Sequence, residues 1–533
     1  MTSEQVSGTD EEIPPPETSS TDHLGRTTLV ASLALILVGA VVRVILLGSA
    51  VGPADADESV VLLMAKDMVN GHFETFFWGQ EYGGTQEALL VAALARLGVP
   101  LRWGGEIVTI GLSVAAAVLL WRIVKTSVGA EVALLTGALY WSTPIAFVWL
   151  SQKERGFYGS SAVSCLAALL FATRLLQRPN LAAAVGLGIS FGSALWSSPQ
   201  TLYLLVPIAL WLVGDLVARR RWHLLRLAPA AGLAAIVGGA PWLWTNARTG
   251  LASLHVPPTT MSTPGERVSL YWRLALPQVS GFKLPYNPTE WIGTRALLVP
   301  HLGLVVLAVV GAALLARKVP WVPLALAWHP ILFASLSTGF FVIEPRYLFL
   351  LWPTAALAIA YPALRYGRGI GAVAVAGLFG GLTAVGCSLL IAQGAAQPGF
   401  FDLQVPRAPP VVAAMKQLGV SYAYAEYWTS YPLEVASGGD VVATPLYQIR
   451  DPRREQRVQS AGRVAYVLYS RGCAEEALDA AAALDGQRAP ARLEPGGPFA
   501  VIVPERPIPP QVVVRRWANE RGSNRPDLPD CRI

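Results

Sequence analysis

The sequence predicts an all-α polytopic membrane protein with a small C-terminal α/β domain. Of its 533 residues, 53% are hydrophobic and only 14% are charged, whereas a soluble domain carries about 25% charged residues. Apolar runs of bilayer-spanning length follow one another between residues 29 and 391,. Beyond residue 393, charges and prolines become frequent, and short runs with helix and strand character alternate,.

The apolar runs predict about eleven transmembrane helices, because they lack the two-residue alternation of a lipid-facing barrel strand. The predicted spans are 29–47, 105–124, 130–150, 158–177, 181–196, 199–217, 225–245, 297–316, 320–340, 345–365 and 368–391.

Basic residues predict the orientation of these spans. They cluster in alternate connections, which contain Arg122 and Lys125, Arg174 and Arg178, Arg219-Arg220-Arg221, Arg317-Lys318, and Arg365 and Arg368. Since Lys and Arg are enriched in cytoplasmic connections, these connections and the N-terminus are predicted to be cytoplasmic. The net charge of +6 is explained by these clusters and does not indicate a nucleic-acid partner. The chain is therefore predicted to be a multi-pass protein of the cell (plasma) membrane, with the first loop and the C-terminal domain outside.

Four regions follow from the composition. Residues 1–26, rich in Pro, Ser, Thr and acidic side chains, are predicted to be a disordered cytoplasmic tail,. Residues 27–392 form the transmembrane domain, with outer loops at 49–104 and 246–296. Residues 393–505 form the α/β domain, with helices at 411–418 and 474–484 and strands at 421–425 and 464–469. Residues 506–533 form a basic tail.

The cysteines fall into two pairs. Cys165 and Cys387 lie inside apolar runs and are interpreted as small core residues,. Cys473 and Cys531 lie in the outer part, where either a disulfide between them or two free thiols fits the sequence.

The first outer loop begins with three carboxylates in four residues, Asp55, Asp57 and Glu58. A carboxylate near a low-dielectric region needs a cation, a hydrogen bond, water or a proton. One interpretation is a helix N-terminus whose macrodipole stabilises Asp57 and Glu58, which leaves the third carboxylate unexplained. The other is an active site, in which Asp57 is the preferred residue and Asp55 the first to be dropped.

Further charged residues are predicted to lie on the same side of the membrane. They are Glu87 in the first loop, Lys153-Glu154-Arg155 after the third span, and Glu344-Pro345-Arg346-Tyr347 between the ninth and tenth spans. One carboxylate can take a proton from an acceptor hydroxyl, and guanidinium groups match a phosphate. Structural ion pairs are the alternative interpretation. Arg43, near the outer end of the first span, either snorkels to the headgroups or meets a lipid phosphate.

The order of these motifs resembles the GT-C superfamily of polytopic glycosyltransferases. Within it, the family-39-like group is most similar, and that group includes protein O-mannosyltransferases and bacterial lipid A aminoarabinose transferases. The resemblance extends from about residue 28 to 505. It is carried by Asp57-Glu58, the stretch from Trp78 to Glu87, Pro241 to Asn246, Glu344-Pro345-Arg346-Tyr347, and Tyr424 to Trp428.

The resemblance implies a polyprenyl-phosphate-linked sugar donor and inverting transfer to an extracytoplasmic envelope glycan, lipid or protein. Asp57 would be the base, with Glu58 or Glu154 assisting by orientation or by binding a divalent metal. No other cofactor is implied. The expected substrate-binding residues are Arg43, Arg155 and Arg346 for the phosphate, Gln80, Tyr82 and Glu87 for sugar hydroxyls, and Glu344 and Tyr347 beside them.

One departure leaves the sugar and the acceptor open. The Lys-Pro-Pro signature of the aminoarabinose and mannosyl enzymes is replaced here by Gly84-Thr85-Gln86. Two other functions also remain open. A lipid-linked sugar transporter or flippase would need ionisable groups near mid-membrane and inverted repeats. A non-catalytic envelope-assembly protein would use its outer domain to bind other proteins.

Overall fold

The structure of the chain, a computed structural model, describes residues 25–254, 262–287, 289–336, 345–396 and 405–521. Helices dominate the part before residue 397, as predicted. They are α1 (Arg26–Leu47), α2 (Ala56–Val69), α3 (Gln86–Arg96), α4 (Leu101–Ser127), α5 (Ala130–Ser142), α6 (Ile145–Leu150), α7 (Tyr158–Gln177), α8 (Leu181–Ser197), α9 (Leu202–Ala218), α10 (Ala228–Gly238), α11 (Ala240–Thr249), α12 (Pro264–Leu270), α13 (Leu276–Val279), α14 (Leu298–Leu315), α15 (Trp321–Ser335) and α16 (Leu351–Ala396).

Six helical segments among the described residues are long and apolar enough to cross a bilayer. They contain α1, α4, α7, α9, α14 and α16. The segment that ends with α10 and the helix α11 are bent by 67° relative to each other, and they form a seventh span if they are counted together. The helices α8 and α15 are apolar but shorter. The polytopic helical fold is confirmed, and the count of eleven spans stays a prediction.

Two predicted spans are broken in the structure. A single helix over 130–150 is wrong, because Pro144 has no backbone N–H to continue the ladder and its ring clashes with the preceding turn. The chain therefore ends α5 at Ser142 and restarts as α6. A single helix over 225–245 is also wrong. Gly238 packs against the backbone of Ile189 in α8, and the chain turns there.

The boundary predicted near residue 368 is present as a break inside α16. Arg368 has φ 49° and ψ −135°, which no helix accommodates. The tenth predicted span, 345–365, is helical from Leu351, after a short 3-10 turn over Pro345–Leu348. The ninth, 320–340, corresponds to α15, and residues 337–340 lie outside the described part.

The transmembrane core is assembled around α16. Leu35 of α1, Leu139 of α5, and Trp352 and Phe379 of α16 share one buried apolar cluster. Trp352 donates from Nε1 to the carbonyl oxygen of Leu139 at 3.3 Å. This packing holds the outer end of α1 next to α5 and α6, from which the first loop and the segment after α6 emerge.

The first outer loop is ordered rather than irregular. It consists of α2, the antiparallel hairpin β1 (Phe76–Phe77) and β2 (Gln80–Gly84), and α3. Residues 56–65 of α2 are all buried. A helix buried on every side must be enclosed by other elements, and the C-terminal domain is one of them.

The C-terminal part has the predicted α/β architecture. It contains α17 (Pro409–Gln417), β3 (Tyr422–Ala425), α18 (Tyr427–Ala436), β4 (Val442–Pro445), α19 (Pro452–Gln459), β5 (Ala465–Tyr469), α20 (Cys473–Leu484), β6 (Ala491–Leu493), β7 (Phe499–Val503) and α21 (Pro510–Arg521). The strand order is β4-β3-β5-β7-β6, in which β4, β3 and β5 are parallel and β7 and β6 are antiparallel to their neighbours.

The predicted tail at 506–533 is partly wrong. Residues of α21 pack onto α20, with Val513 and Trp517 buried in the same apolar cluster as Leu478. Their spacing of four residues places both on one face of a helix, a pattern hidden by the surrounding arginines. Residues 1–24 and 522–533 lie outside the described residues, so the disordered N-terminal tail and the Cys473–Cys531 disulfide stay predictions.

A substitution at Gly311 of α14 tests the packing of α14 against α16. A Cβ at this position would overlap the carbonyl oxygen of Ala358 and lie 3.0 Å from Pro362 Cδ, both in α16. Gly311→Ala is expected to destabilise the protein by about 1–3 kcal/mol through overpacking and to lower its unfolding temperature in detergent. Gly303→Ala on the same helix is the control, because no heavy atom lies within 4 Å of its Cβ. Equal unfolding temperatures for the two variants would contradict the α14–α16 contact.

Candidate active site

The N-terminus of α2 is fixed by a reciprocal capping box. Asp55 is the N-cap, and its Oδ1 accepts from the backbone nitrogens of Asp57 at 3.1 Å and Glu58 at 3.4 Å. Glu58 Oε2 accepts in return from the backbone nitrogen of Asp55 at 3.0 Å. The carboxylates of Asp55 and Glu58 thereby stabilise the first turn of the helix, and the backbone presents Asp57 between them.

Two buried ion pairs connect this helix start to the segment after α6. Arg155 Nη2 lies 2.5 Å from Asp55 Oδ2, and Lys153 Nζ pairs with Glu58 Oε2. Burial raises the pKa of Glu58 to about 7, although Lys153 opposes the shift. Charges this deeply buried must be paired to be tolerated, so the two pairs fix the position of α2.

Asp57 is held from two directions. Its Oδ2 accepts from Arg346 Nη1 at 3.0 Å, and its Oδ1 accepts from Tyr427 Oη at 2.5 Å. Burial alone would raise the pKa of Asp57, but Arg346, Arg155 and Arg450, together with the Tyr427 hydrogen bond, hold it well below its ordinary value,. Asp57 is therefore an ionised carboxylate.

Arg155 and Arg346 lie on the same side of Asp57. Arg155 donates from Nη1 to Tyr286 Oη at 3.1 Å, and Arg346 donates from Nη2 to Tyr347 Oη at 3.3 Å. Both arginines line one small cavity of about 10 Å³ together with Tyr286. This arrangement supplies two guanidinium groups to the region where the predicted phosphate would bind.

Glu87 and Glu154 form a separate buried carboxyl pair. Glu87 Oε1 accepts from Ser160 N at 2.7 Å, and Glu154 Oε2 accepts from Thr109 Oγ1 at 3.0 Å. Burial raises the pKa of both, and their mutual interaction raises that of Glu154 further, well above its ordinary value. Both shifts favour the protonated form, and more strongly for Glu154 than for Glu87.

Arg43 lines a cavity together with Glu87 of the carboxyl pair. It is 4% exposed, which excludes snorkelling to the headgroups. Its Nε donates to Ser151 Oγ and its Nη1 to Gly39 O, both at 3.0 Å, and its guanidinium lies 3.6 Å from the ring centre of Trp141. Arg43 and Glu87 line one cavity of about 60 Å³, which is large enough for several water molecules.

Of the remaining predicted residues, Gln80 contacts the C-terminal domain and Tyr82 contacts the membrane part. With its amide oxygen directed at Arg450, Gln80 accepts from Nη1 at 2.8 Å and Nη2 at 3.2 Å. Tyr82 contacts Phe157 edge-to-face, with ring centres 6.4 Å apart. Burial and then the neighbouring Tyr347 raise the pKa of Tyr82 to about 12, so its hydroxyl stays protonated.

The structure therefore brings Asp57, Arg155, Arg346, Tyr347, Tyr82 and Gln80 into one region and places Arg43, Glu87 and Glu154 in a second. Glu58 serves the helix cap. Glu344 lies outside the described residues. Within the described ranges, no three His, Cys, Asp or Glu side chains are grouped as metal ligands.

Sequence reasoning missed two residues of the site, Tyr427 and Arg450. Tyr427 lies within the stretch from Tyr424 to Trp428, which the resemblance had singled out without a role. Arg450 begins an arginine cluster, Arg450-Asp451-Pro452-Arg453-Arg454. Basic residues are enriched in cytoplasmic connections, and this rule does not explain an arginine cluster on the predicted outer side. The unexplained position of the cluster could have identified Arg450 as a candidate site residue.

The chain is similar to known membrane proteins in part of its sequence and in its fold. The family model described as dolichyl-phosphate-mannose-protein mannosyltransferase matches residues 87–244. The crystal structure of ArnT from Cupriavidus metallidurans in the apo state aligns with a TM-score of 0.60 at 12% identity, covering 89% of this chain and 98% of ArnT. The same protein bound to undecaprenyl phosphate aligns with a TM-score of 0.56 at 12% identity, covering 90% and 98%. No curated protein sequence matches the chain.

The carboxyl pair generates a pH prediction. Because the folded pKa of Glu154 lies above its ordinary value of 4.5, the pair contributes stability at low pH that is lost as the pH rises toward the folded pKa. Glu154→Gln keeps a donor to Glu87 and does not titrate. The wild-type unfolding temperature should therefore fall between pH 5 and 9 by at least about 2 °C more than that of the variant.

Glu106→Gln is the control for that measurement. Glu106 lies on α4 and forms an ordinary ion pair with Arg102 at 3.6 Å, so its neutralisation should leave the wild-type pH dependence in place. A Glu154→Gln variant whose unfolding temperature follows the wild-type curve would contradict the raised pKa of Glu154.

Proposed function

Because the chain has the fold of the GT-C superfamily of membrane glycosyltransferases, we propose that it transfers a sugar from a polyprenyl-phosphate carrier to an extracytoplasmic acceptor with inversion. The observation that carries the proposal is the ionised Asp57, flanked by guanidinium groups at the end of a buried helix. The similar ArnT structure contains undecaprenyl phosphate, which supports a lipid-linked donor.

Asp57 is the base in this proposal. It accepts the proton of the acceptor hydroxyl as that oxygen forms a bond to the anomeric carbon. The bond between the anomeric carbon and the phosphate oxygen breaks on the opposite face of the sugar, and its electron pair leaves with the lipid phosphate. Arg155 and Arg346 offset the charge that develops on this phosphate. Attack opposite the leaving group inverts the configuration.

The donor itself makes Asp57 basic. While Arg346 is bonded to Asp57 at 3.0 Å, the depressed pKa makes the carboxylate a poor proton acceptor. The donor phosphate is a diester with one negative charge; its two unesterified oxygens match the guanidinium fork, and a second charge develops on it as the sugar leaves. When Arg346 turns to the phosphate, Asp57 loses the largest attraction that lowers its pKa, and burial then raises it. Proton transfer is thereby coupled to donor binding.

The other predicted residues take supporting roles. Glu58 and Glu154 are engaged with Lys153 and Thr109, which favours orientation over metal binding for both. Gln80, Tyr82 and Tyr347 surround the site and supply hydrogen bonds to sugar hydroxyls. Glu87 and Arg43 hold the second polar cluster behind the site, and the role of Glu344 stays a prediction.

The location of the site supports an extracytoplasmic reaction. Tyr427 of the C-terminal domain reaches Asp57 of the first loop, so both parts lie on one side of the membrane. The predicted cytoplasmic connections, which are rich in basic residues, lie at the other ends of the spans, and this supports the outer side of the cell (plasma) membrane as the location of the site. The acceptor is then an envelope glycan, lipid or protein.

Asp57→Asn tests the proposal. Loss of a general base is expected to lower the transfer rate at least about a hundredfold, without loss of expression. Transfer is measured with a radiolabelled polyprenyl-phosphate sugar and a membrane extract as the source of acceptor.

Asp440→Asn is the matched control, because Asp440 is exposed on the C-terminal domain and pairs only with Lys416 among the described residues, at 2.9 Å. It should transfer at the wild-type rate. Undiminished transfer by Asp57→Asn would remove Asp57 from the role of base.

A further inference from the structure

The two oxygens of Asp57 are bonded by donors of different kinds and different origin. Oδ2 is bonded by the charged Arg346 from the membrane part, and Oδ1 by the neutral hydroxyl of Tyr427, the first residue of α18 in the C-terminal domain. In a base-catalysed transfer, the acceptor also presents a neutral hydroxyl to the carboxylate. Tyr427 Oη therefore marks a position that an acceptor hydroxyl can take.

Arg450 lies beside this position, and the nearby charge of Asp57 is already bonded by Arg346. Its guanidinium is 5.1 Å from the ring centre of Tyr427, and its two terminal nitrogens are directed at the neutral Gln80 amide. Its buried Nε has no hydrogen-bond partner, and it forms no ion pair within the described ranges. Nearby Arg453 and Arg454 differ in this respect, because carboxylates such as Glu74 and Glu434 pair with them.

A buried donor of a cationic group is costly to leave unsatisfied. Such a group is expected to have a partner at some stage of the working cycle, and an anion satisfies both its charge and its free N–H. We propose that an acceptor bearing an anionic group, which is a carboxylate or a phosphate, binds between the first loop and the C-terminal domain. Its hydroxyl takes the place of Tyr427 Oη, and Arg450 binds its anionic group. This inference rests on the proposed function.

The donor phosphate is the less suitable partner for Arg450. A polyprenyl chain stays in the bilayer, so its phosphate approaches from the membrane side, where Arg155 and Arg346 lie. Arg450 belongs to the loop between β4 and α19 and approaches Asp57 from the domain that covers the first loop. The acceptor oxygen must also attack from the side opposite the leaving phosphate, which separates the two anionic groups in space.

Access for this acceptor requires α18 to separate from α2. The polar contacts across this seam include Lys66 Nζ to Gly438 O at 2.9 Å, Arg453 to Glu74 at 2.6 Å, and Arg454 to Asp67 at 3.4 Å. The Arg453–Glu74 pair is partly exposed and contributes little. Tyr427 and Tyr431 of α18 also share a buried apolar cluster with residues of α2, so opening the seam for an acceptor exposes this apolar contact, and closing restores it together with the bond of Tyr427 to Asp57.

Binding of two matched probes to the full-length protein tests the proposal without turnover. Octyl β-D-glucuronide and octyl β-D-glucoside differ only in a carboxylate that replaces a hydroxymethyl group. The wild-type protein should bind the glucuronide at least about tenfold more tightly, as expected for a hydrogen-bonded charge pair. Arg450→Gln should reduce this preference to about twofold or less, and Arg450→Lys should retain part of it.

Two further variants separate local from general effects. Arg453→Gln removes an arginine from the same seam and should keep the tenfold preference. Tyr427→Phe frees Asp57 Oδ1 and should tighten the binding of both probes while the preference persists. Equal binding of the two probes by the wild-type protein, or a preference preserved in Arg450→Gln, would overturn the proposal, as would weaker probe binding by Tyr427→Phe.

Polyprenyl phosphate without a sugar is the third ligand, and its affinity should be unchanged in Arg450→Gln. A loss of polyprenyl-phosphate affinity in that variant would assign Arg450 to the donor and overturn the acceptor site. Because binding is measured without transfer, a failure of the proposed glycosyltransferase activity would be a separate result, recognisable as probe preference without product.

Discussion

The buried negative charge of Asp57 has to be balanced by hydrogen-bond donors and positive charges inside the protein. The arrangement of the rest of the site depends on these partners. Burial disfavours the ionised carboxylate, so it persists only because Arg346 and Tyr427 bond to its two oxygens,. One of these donors belongs to the membrane part, and the other, Tyr427, belongs to the C-terminal domain and lies 370 residues after Asp57 in the chain. The carboxylate therefore joins the two parts of the protein at the point where the proposed chemistry occurs.

The position of Asp57 depends in turn on the capping box and on two buried ion pairs. Asp55 and Glu58 fix the first turn of α2, and Arg155 and Lys153 fix that turn against the membrane helices. The charged side chains of Asp55, Glu58, Lys153 and Arg155 thus fix the position of a fifth charged side chain, that of Asp57. A base must lie within hydrogen-bond reach of its proton, and this frame restricts where an acceptor hydroxyl can approach.

Much of this organisation is predictable from sequence, because hydropathy and basic residues act over short stretches. They predicted the helical membrane part, the position of the first outer loop and the α/β domain. The three-carboxylate stretch drew attention to Asp57, although its two other members, Asp55 and Glu58, cap a helix. A proline in an apolar run was overlooked, and Pro144 divides the predicted third span.

The partners of each charge were not predictable, because they depend on tertiary contacts. Glu87 and Glu154 were predicted as separate polar contributors, yet the fold brings them together in a buried place that raises the pKa of both. Tyr427 and Arg450 lie in a domain without a site motif of its own, and only the fold brings them to Asp57 and Gln80. The seam between the first loop and this domain is therefore a property of the structure alone.

The most direct test of the account is an experimental structure of the protein with bound polyprenyl phosphate. The exchange of Arg346 from Asp57 to the phosphate predicts that the distance from Arg346 Nη1 to Asp57 Oδ2, 3.0 Å without donor, lengthens beyond about 4 Å, the limit of an ion pair. A phosphate oxygen should then lie within hydrogen-bond distance of Arg346. A bound phosphate with the Arg346–Asp57 bond still intact would contradict the coupling of donor binding to the basicity of Asp57.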